Sequence, residues 1–147
     1  MSQRQAVTIS HIGVCTSNLE RSVRFYTEAL GFVVHHKIED VGPPFDKLSE
    51  LPGLKVSAHF LKCGHVTVEL LGYDNPGVTG SADRRPMNQL GITHMSFAVD
   101  DIDAIIDRIA EFGGNVLWET RVNSPAGPMI FCTDPDGVRI ELLRPLV

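Results

Sequence analysis

Two glutamates interrupt apolar, strand-like runs in this chain. Glu69 lies within residues 66–71, VTVELL, and Glu141 lies within residues 138–143, VRIELL, directly after the turn-forming sequence Asp134-Pro135-Asp136-Gly137. Side chains alternate across a strand, so each glutamate points away from its apolar neighbours. Taken singly, such a residue is either a solvated glutamate on an exposed sheet face or a carboxylate that lines a pocket, where it can bind a metal or accept a proton.

Each glutamate has a histidine counterpart earlier in the same half of the chain. His11 ends the sequence Ile-Ser-His and His94 ends the sequence Ile-Thr-His, 83 residues later. The same offset matches three further pairs of residues, namely Glu28 with Glu111, Gly31 with Gly114, and Val33 with Val116. The repeat predicts a duplicated module that carries a histidine in its first strand and a glutamate in its last strand.

The duplication changes the interpretation of the glutamates. If an approximate twofold axis relates the two modules, His11, Glu69, His94 and Glu141 can converge on one concave sheet surface. Imidazole nitrogen and carboxylate oxygen are ligands that zinc, nickel, cobalt and iron accept. We therefore predict a divalent transition metal bound by these four residues.

Hydrophobic periodicity predicts the same order of elements, strand-helix-strand-strand-strand, in both halves, and hence an α+β fold. The first half is expected to have strands at 7–15, 32–38, 55–63 and 65–73, a helix from the Ser17-x-x-Glu20 capping box to Gly31, and a long loop at 39–54 that is a candidate lid. The second half is expected to have strands at 92–99, 115–121, 129–133 and through Leu143, and a helix from Asp100 or Asp101 to Gly113-Gly114. The predicted modules are 7–73 and 92–147, joined by a linker at 74–91.

Composition restricts the class of protein. The chain has 147 residues, 43% hydrophobic and 21% charged, with a formal net charge of -5. This charge, spread without long runs of one sign, argues against nucleic acid and anionic membrane as partners. No segment approaches the roughly 20 apolar residues of a membrane-spanning helix, and no apolar signal core is present at the N-terminus, so we expect a cytoplasmic protein.

Four segments resemble those of one known family. They are Ser10-His11-Ile12-Gly13-Val14, Phe25-Tyr26-x-x-Ala29-Leu30-Gly31-Phe32, Thr93 through Asp101, and Asp134 through Leu142. Together they identify the chain as similar to the vicinal oxygen chelate superfamily, which contains glyoxalases, bleomycin-resistance proteins and dioxygenases. The resemblance implies two tandem βαβββ modules whose cupped mixed sheets surround a divalent metal, and it implies a homodimer.

The resemblance also orders the possible functions. Triad members such as extradiol dioxygenases use positions that correspond to His11, His94 and Glu141, whereas glyoxalase I-like members add a glutamate at the position of Glu69. Methylmalonyl-CoA epimerases resemble the latter but have glutamine there. This chain therefore lies nearest the glyoxalase I and epimerase branch.

The leading hypothesis is a lyase, epimerase or isomerase that moves a proton next to the metal-bound carbonyl of a small molecule through an enediolate, with Glu69 or Glu141 as the base. An Fe(II) extradiol-type dioxygenase and a non-catalytic protein that sequesters a small molecule remain open alternatives.

Other residues are weaker candidates. Cys15, Cys63 and Cys132 form no CxxC pair and lie in or beside apolar runs, which predicts buried, reduced thiols. His59 either lines the pocket or is half-buried, and Arg84 and Arg85 are either solvated charges or ligands for an anionic group. Trp118 and Phe45 either wall a pocket or pack in the core.

Overall fold

The computed structural model describes residues 6–145, so residues 1–5 and the last two residues of the predicted second module lie outside it. The first half contains β1 Ile12–Thr16, α1 Leu19–Glu28, β2 Val33–Val41, α2 Phe45–Leu48, β3 Lys55–Cys63 and β4 Val66–Asn75. The second half contains β5 Met95–Ala98, α3 Ile102–Glu111, β6 Asn115–Ser124, β7 Gly127–Thr133 and β8 Arg139–Leu143. Among the described residues, no helix has the length and apolar character needed to cross a membrane.

The strands form two four-stranded mixed sheets with the same topology. The strand order is β1-β4-β3-β2 in the first sheet and β5-β8-β7-β6 in the second. In each sheet, the strand before the long helix pairs in parallel with the last strand, and the remaining pairs are antiparallel. The predicted α+β class with two mixed sheets is confirmed.

Several element boundaries differ from the prediction. β1 begins at Ile12 and β5 at Met95, so His11 and His94 each stand directly before a strand instead of within it. The parallel pairing of β1 with β4 begins at Ile12 and Val68, and residues 7–9 belong to no strand. Asn18, not Ser17, caps α1 through its side-chain oxygen. The segment 39–54 contains the end of β2 and all of α2, so only part of it is loop.

One apolar core contains residues of the two long helices, α1 and α3, and of one face of each sheet. Phe25 and Tyr26 of α1 and Ile109 of α3 are fully buried. Sheet residues of both halves share this core, among them Leu61, Val68, Leu70, Ile130, Ile140 and Leu142. Burial of one such side chain stabilises the fold by about 1.5–3 kcal/mol. The core therefore fixes which face of each sheet points outward.

A buried hydrogen bond connects the first helix to the last hairpin. Tyr26 donates its hydroxyl to Oδ2 of Asp134 across 3.0 Å, and both residues are inaccessible to solvent. Oδ1 of Asp134 accepts the backbone N–H groups of Asp136 and Val138 at 2.9 and 2.8 Å. Burial raises the pKa of Asp134, although these hydrogen bonds partly oppose the shift. The carboxyl group thus organises the turn between β7 and β8.

A second carboxylate of the same turn binds the beginning of α1. Asp136 accepts hydrogen bonds from the backbone N–H of Ser17 at 2.9 Å, from the Ser17 hydroxyl, and from the guanidinium of Arg21 at 2.9 Å. Ser17 therefore serves the contact between the two halves instead of the predicted capping box. Gly137 completes the turn with a φ of +84°, and a Cβ at this position would clash with the backbone carbonyl of Ala82, in the chain segment that links the two sheets.

Removal of the Asp134 carboxyl group is expected to destabilise the protein. Asp134→Ala leaves three donors without their acceptor, so the free energy of unfolding should fall by about 2–4 kcal/mol. Asp134→Asn keeps an acceptor for both N–H groups and can donate to the Tyr26 oxygen, so its cost should stay below about 1 kcal/mol. Urea denaturation measures both values, with Asp107→Ala on the exposed face of α3 as the control. Equal losses for the two Asp134 variants would contradict this role.

Candidate metal centre

Strand alternation places both glutamates on the outer faces of the sheets. Val68 and Leu70 are fully buried on either side of Glu69, whose side chain is 17% exposed. Ile140 and Leu142 are likewise fully buried on either side of Glu141, which is 20% exposed. The predicted orientation of the two carboxylates away from the core is what the structure shows.

The first glutamate faces its histidine. Nε2 of His11 lies 3.2 Å from Oε2 of Glu69. On the other side of the ring, Nδ1 of His11 lies 3.0 Å from the hydroxyl oxygen of Ser10. Phe60, whose backbone pairs with that of Glu69, packs edge-on against the imidazole with ring centroids 5.3 Å apart.

The second glutamate repeats this arrangement. Nε2 of His94 lies 3.5 Å from Oε2 of Glu141, and Nδ1 lies 2.8 Å from the hydroxyl oxygen of Thr93. Phe131, whose backbone pairs with that of Glu141, packs edge-on against His94 at 5.3 Å. One contact is particular to this pair: Ser96 donates its hydroxyl to Oε2 of Glu141 across 2.7 Å.

Each pair supplies one nitrogen and one oxygen donor for a divalent ion. A neutral imidazole that donates Nδ1–H to the neighbouring hydroxyl oxygen leaves the lone pair of Nε2 free for a metal, next to the carboxylate. The donor types therefore fit the predicted metal. The structure brings the four residues together only as two pairs, and no group of three or more metal-binding side chains occurs within residues 6–145. We call these pairs, His11 with Glu69 and His94 with Glu141, the two half-sites.

His59 lies on the first sheet, on the face opposite to that of Glu69. Phe60 shares the face of Glu69, so the preceding residue points towards α1. There His59 borders a groove beside Leu19 and Val23, together with the charged residues Glu20, Lys37, Glu39 and Asp40. Its Nδ1 is buried and has no hydrogen-bond partner in the described part of the chain. Of the two interpretations, the structure favours a half-buried histidine.

The remaining candidates fall into different environments. Arg84 forms an ion pair with Glu119 at 2.9 Å, and Arg85 donates to the carbonyl of Ile92 at 2.6 Å. Trp118 and Phe45 are 58% and 40% exposed, so neither packs in the core.

The prediction of three buried thiols is wrong for Cys15. Cys132 is buried and Cys63 is partly buried, but Cys15 is exposed. Cys15 lies between the buried residues Val14 and Thr16 on β1, so alternation turns it to the outer face. Burial raises the pKa of the Cys132 thiol to about 11, which leaves it protonated and unreactive at neutral pH.

Sequence reasoning missed the residues that orient the half-sites. The hydroxyl residues before the two histidines were visible in the repeat, as Ser10 and Thr93, but their role follows only from their contacts with Nδ1. The aromatic residues Phe60 and Phe131 carry no sequence signal, because cross-strand pairing alone brings each of them beside a glutamate.

Comparison with known proteins places these features in a family. A family model described as Glyoxalase/Bleomycin resistance protein/Dioxygenase superfamily matches residues 8–142. The lactoylglutathione lyase of Salmonella typhimurium is 34% identical over 138 residues, which cover 91% of this chain and 90% of that protein. The ethylmalonyl-CoA/methylmalonyl-CoA epimerase of Cereibacter sphaeroides is 28% identical over 141 residues, which cover 91% of this chain and 95% of that protein.

A solved structure gives the same result for the fold. The glyoxalase family protein from Bacillus cereus superposes with a TM-score of 0.87, covering 100% of this chain and 99% of that chain, at 19% sequence identity. The two sheets of equal strand order thus define a glyoxalase-type fold. The chain belongs to the Glyoxalase/Bleomycin resistance protein/Dioxygenase superfamily, which confirms the resemblance seen in the sequence.

The buried nitrogen of His59 is expected to make stability depend on pH. Burial, and then the charge of Lys37, lower the pKa of His59 below 6.5, whereas Glu39 opposes the shift. The unfolded state therefore binds more protons than the folded state in slightly acidic solution, so stability is lost as the pH falls below about 6.5 and through the folded-state pKa.

His59→Leu should lose less stability than the wild type between pH 7.5 and pH 5.5, as measured by urea denaturation. His65→Leu supplies the control for loss of an imidazole from an exposed turn. An unchanged pH dependence in His59→Leu would contradict the assignment.

Proposed function

We propose that this protein is a divalent-metal-dependent enzyme that transfers a proton next to the carbonyl group of a small-molecule substrate, as a glyoxalase I-like lyase or an epimerase. The observation that carries the proposal is the matching geometry of the two half-sites. Each half-site presents Nε2 of a histidine 3.2–3.5 Å from a carboxylate oxygen, with Nδ1 beside a hydroxyl. The similarity to a lactoylglutathione lyase and to an epimerase supports an enzyme of this kind.

We further propose that the chain is a single domain of two modules, 7–73 and 92–147, and that a second copy completes the site. Each half-site lies on its own sheet. Apolar residues precede both histidines at equivalent positions: Val7 and Ile9 are 91% and 86% exposed, and Leu90 and Ile92 are 96% and 70% exposed. A homodimer that covers these residues would remove apolar surface from water while it brings His11 and Glu69 of one copy to His94 and Glu141 of the other.

The two half-sites together would hold zinc, nickel, cobalt or iron through two imidazole nitrogens and two carboxylates. When bound, such an ion polarises the substrate carbonyl and stabilises negative charge on its oxygen. The protein must supply the base that removes the neighbouring proton. Glu69 and Glu141 are the carboxylates available for it, and the Ser96 hydroxyl holds one oxygen of Glu141 in place.

The similarity of the two half-sites argues against the dioxygenase alternative. A three-ligand iron site would use His11, His94 and Glu141 and would leave Glu69 without a function. Glu69 instead contacts His11 as closely as Glu141 contacts His94. The equal pairing favours the four-ligand enzyme.

Loss of a ligand is expected to remove the metal. The wild type purified without chelator should contain about one divalent ion per chain, and His94→Ala should contain less than about a tenth of that, because one nitrogen donor is lost. Inductively coupled plasma mass spectrometry gives the ratio, with His35→Ala on exposed β2 as the control. Unchanged metal content in His94→Ala would refute the ligand assignment, and a metal-free wild type would favour the non-catalytic alternative.

Mixing two inactive variants tests whether a site spans two copies. His11→Ala and His94→Ala should each be inactive, but a heterodimer of the two contains one intact site. After unfolding and refolding of an equimolar mixture, turnover and bound metal should return to about a quarter of the wild-type values, because about half of the dimers are mixed and each has one of two sites. If each site lay within one chain, the mixture would stay inactive.

A further inference from the structure

The outer face of the second sheet carries a cation close to its half-site. Arg139 lies two residues before Glu141 on β8 and therefore shares its face. The guanidinium carbon lies 5.1 Å from the centre of the Phe131 ring, and the same ring packs edge-on against His94 at 5.3 Å. Phe131 is thus a common platform for the half-site and for Arg139.

Within residues 6–145, Arg139 forms no ion pair with a carboxylate. Arg21, Arg84 and Arg121 each lie within 2.9 Å of a carboxylate oxygen, but none of the ion pairs found among residues 6–145 includes Arg139. Its hydrogen-bond partner is the carbonyl oxygen of Arg85, at 2.8 Å. A guanidinium has five N–H donors, so this contact and the aromatic stacking orient the group while other donors stay available.

Arg139 lines a cavity that is large enough for a small-molecule ligand. A cavity of about 440 Å³ is lined by Arg139, Arg85 and His94, and its lining also includes two acidic residues, Asp83 and Asp136. Asp136 is paired with Arg21, and Asp83 accepts a hydrogen bond from Ser81. This volume is in the range that accommodates a small-molecule ligand. Arg139 and His94 of the half-site therefore line the same cavity.

The first half of the chain provides an internal comparison. Thr67 stands two residues before Glu69 as Arg139 stands two residues before Glu141, and Phe60 occupies the place of Phe131. The platforms and half-sites match, but the cations differ: Arg139 stacks on Phe131 and precedes the glutamate on its own strand, whereas the cation of the first sheet, Lys62, lies on the neighbouring strand opposite Thr67. The planar guanidinium held on an aromatic platform is therefore the feature that distinguishes the second half-site.

We propose that Arg139 is a specificity-determining residue that binds an oxyanion, a carboxylate or phosphate, of the substrate while the substrate carbonyl occupies the metal centre. This inference rests on the proposed function and narrows its substrates to carbonyl compounds that bear an anionic group. The planar guanidinium forms paired hydrogen bonds with such groups, and its stacking on Phe131 reduces the freedom lost on binding.

Three hydroxamates test the proposal by calorimetry on zinc-loaded protein. All three offer two adjacent oxygens to a metal, but acetohydroxamate has no further anion, whereas succinic monohydroxamate and phosphonoacetohydroxamate add a carboxylate and a phosphonate. The wild type should bind at least one of the two anionic compounds about tenfold more tightly than acetohydroxamate. Which of the two binds more tightly distinguishes a carboxylate from a phosphate substrate.

Substitution of Arg139 should remove the preference for anionic hydroxamates without changing the binding of acetohydroxamate. In Arg139→Met the anionic compounds should bind no more tightly than acetohydroxamate, whose own affinity should stay within about twofold of wild type. Arg139→Lys, which keeps the charge without the planar fork, should retain part of the preference and serves if Arg139→Met does not fold. Arg24→Met is the matched control, because Arg24 stacks on Phe112 at 5.4 Å in the same way but belongs to α1.

The outcomes separate the two proposals. Acetohydroxamate binding to the wild type without any anionic preference, or a preference that survives in Arg139→Met, would overturn the role of Arg139 and leave the proposed metal centre intact. Failure of all three compounds to bind zinc-loaded protein would overturn both proposals.

Discussion

The buried hydrogen bond between Tyr26 and Asp134 is the constraint on which the arrangement of the half-sites depends. It joins the core side of α1, from the first half, to the turn that begins β8, in the second half. The neighbouring Asp136 adds contacts with Ser17 and Arg21 at the start of the same helix. Two carboxylates of one four-residue turn thus connect the halves and determine where the last strand starts.

The start of β8 decides which of its residues face outward. With Arg139 as the first residue of the strand, Ile140 and Leu142 enter the core and Glu141 stands on the outer face beside His94. A shift of one residue would place the glutamate in the core, where an unpaired charge is strongly unfavourable, and would place an isoleucine beside the histidine. The polar turn, which contributes no ligand itself, therefore positions the proposed metal centre.

The sequence predicted those features that follow from local periodicity and from the repeat. The orientation of Glu69 and Glu141 followed from alternation within single strands, and the two sheets of equal topology followed from the repeated order of elements. Features that depend on contacts distant in sequence were not predictable. Ser17 contacts Asp136 instead of capping α1, and the face of His59 follows from the pairing of Phe60 with Glu69.

In the proposed dimer, His11 and Glu69 of one copy share a metal ion with His94 and Glu141 of the other. X-ray diffraction from crystals of the zinc-loaded protein, with anomalous data collected at the zinc absorption edge, tests it directly. We expect one strong anomalous peak per chain, within about 2.0–2.2 Å of the two Nε2 atoms and of an oxygen of each glutamate, with the two half-sites belonging to different copies. A zinc ion bound away from the half-sites, or bound by four ligands of a single chain, would contradict it.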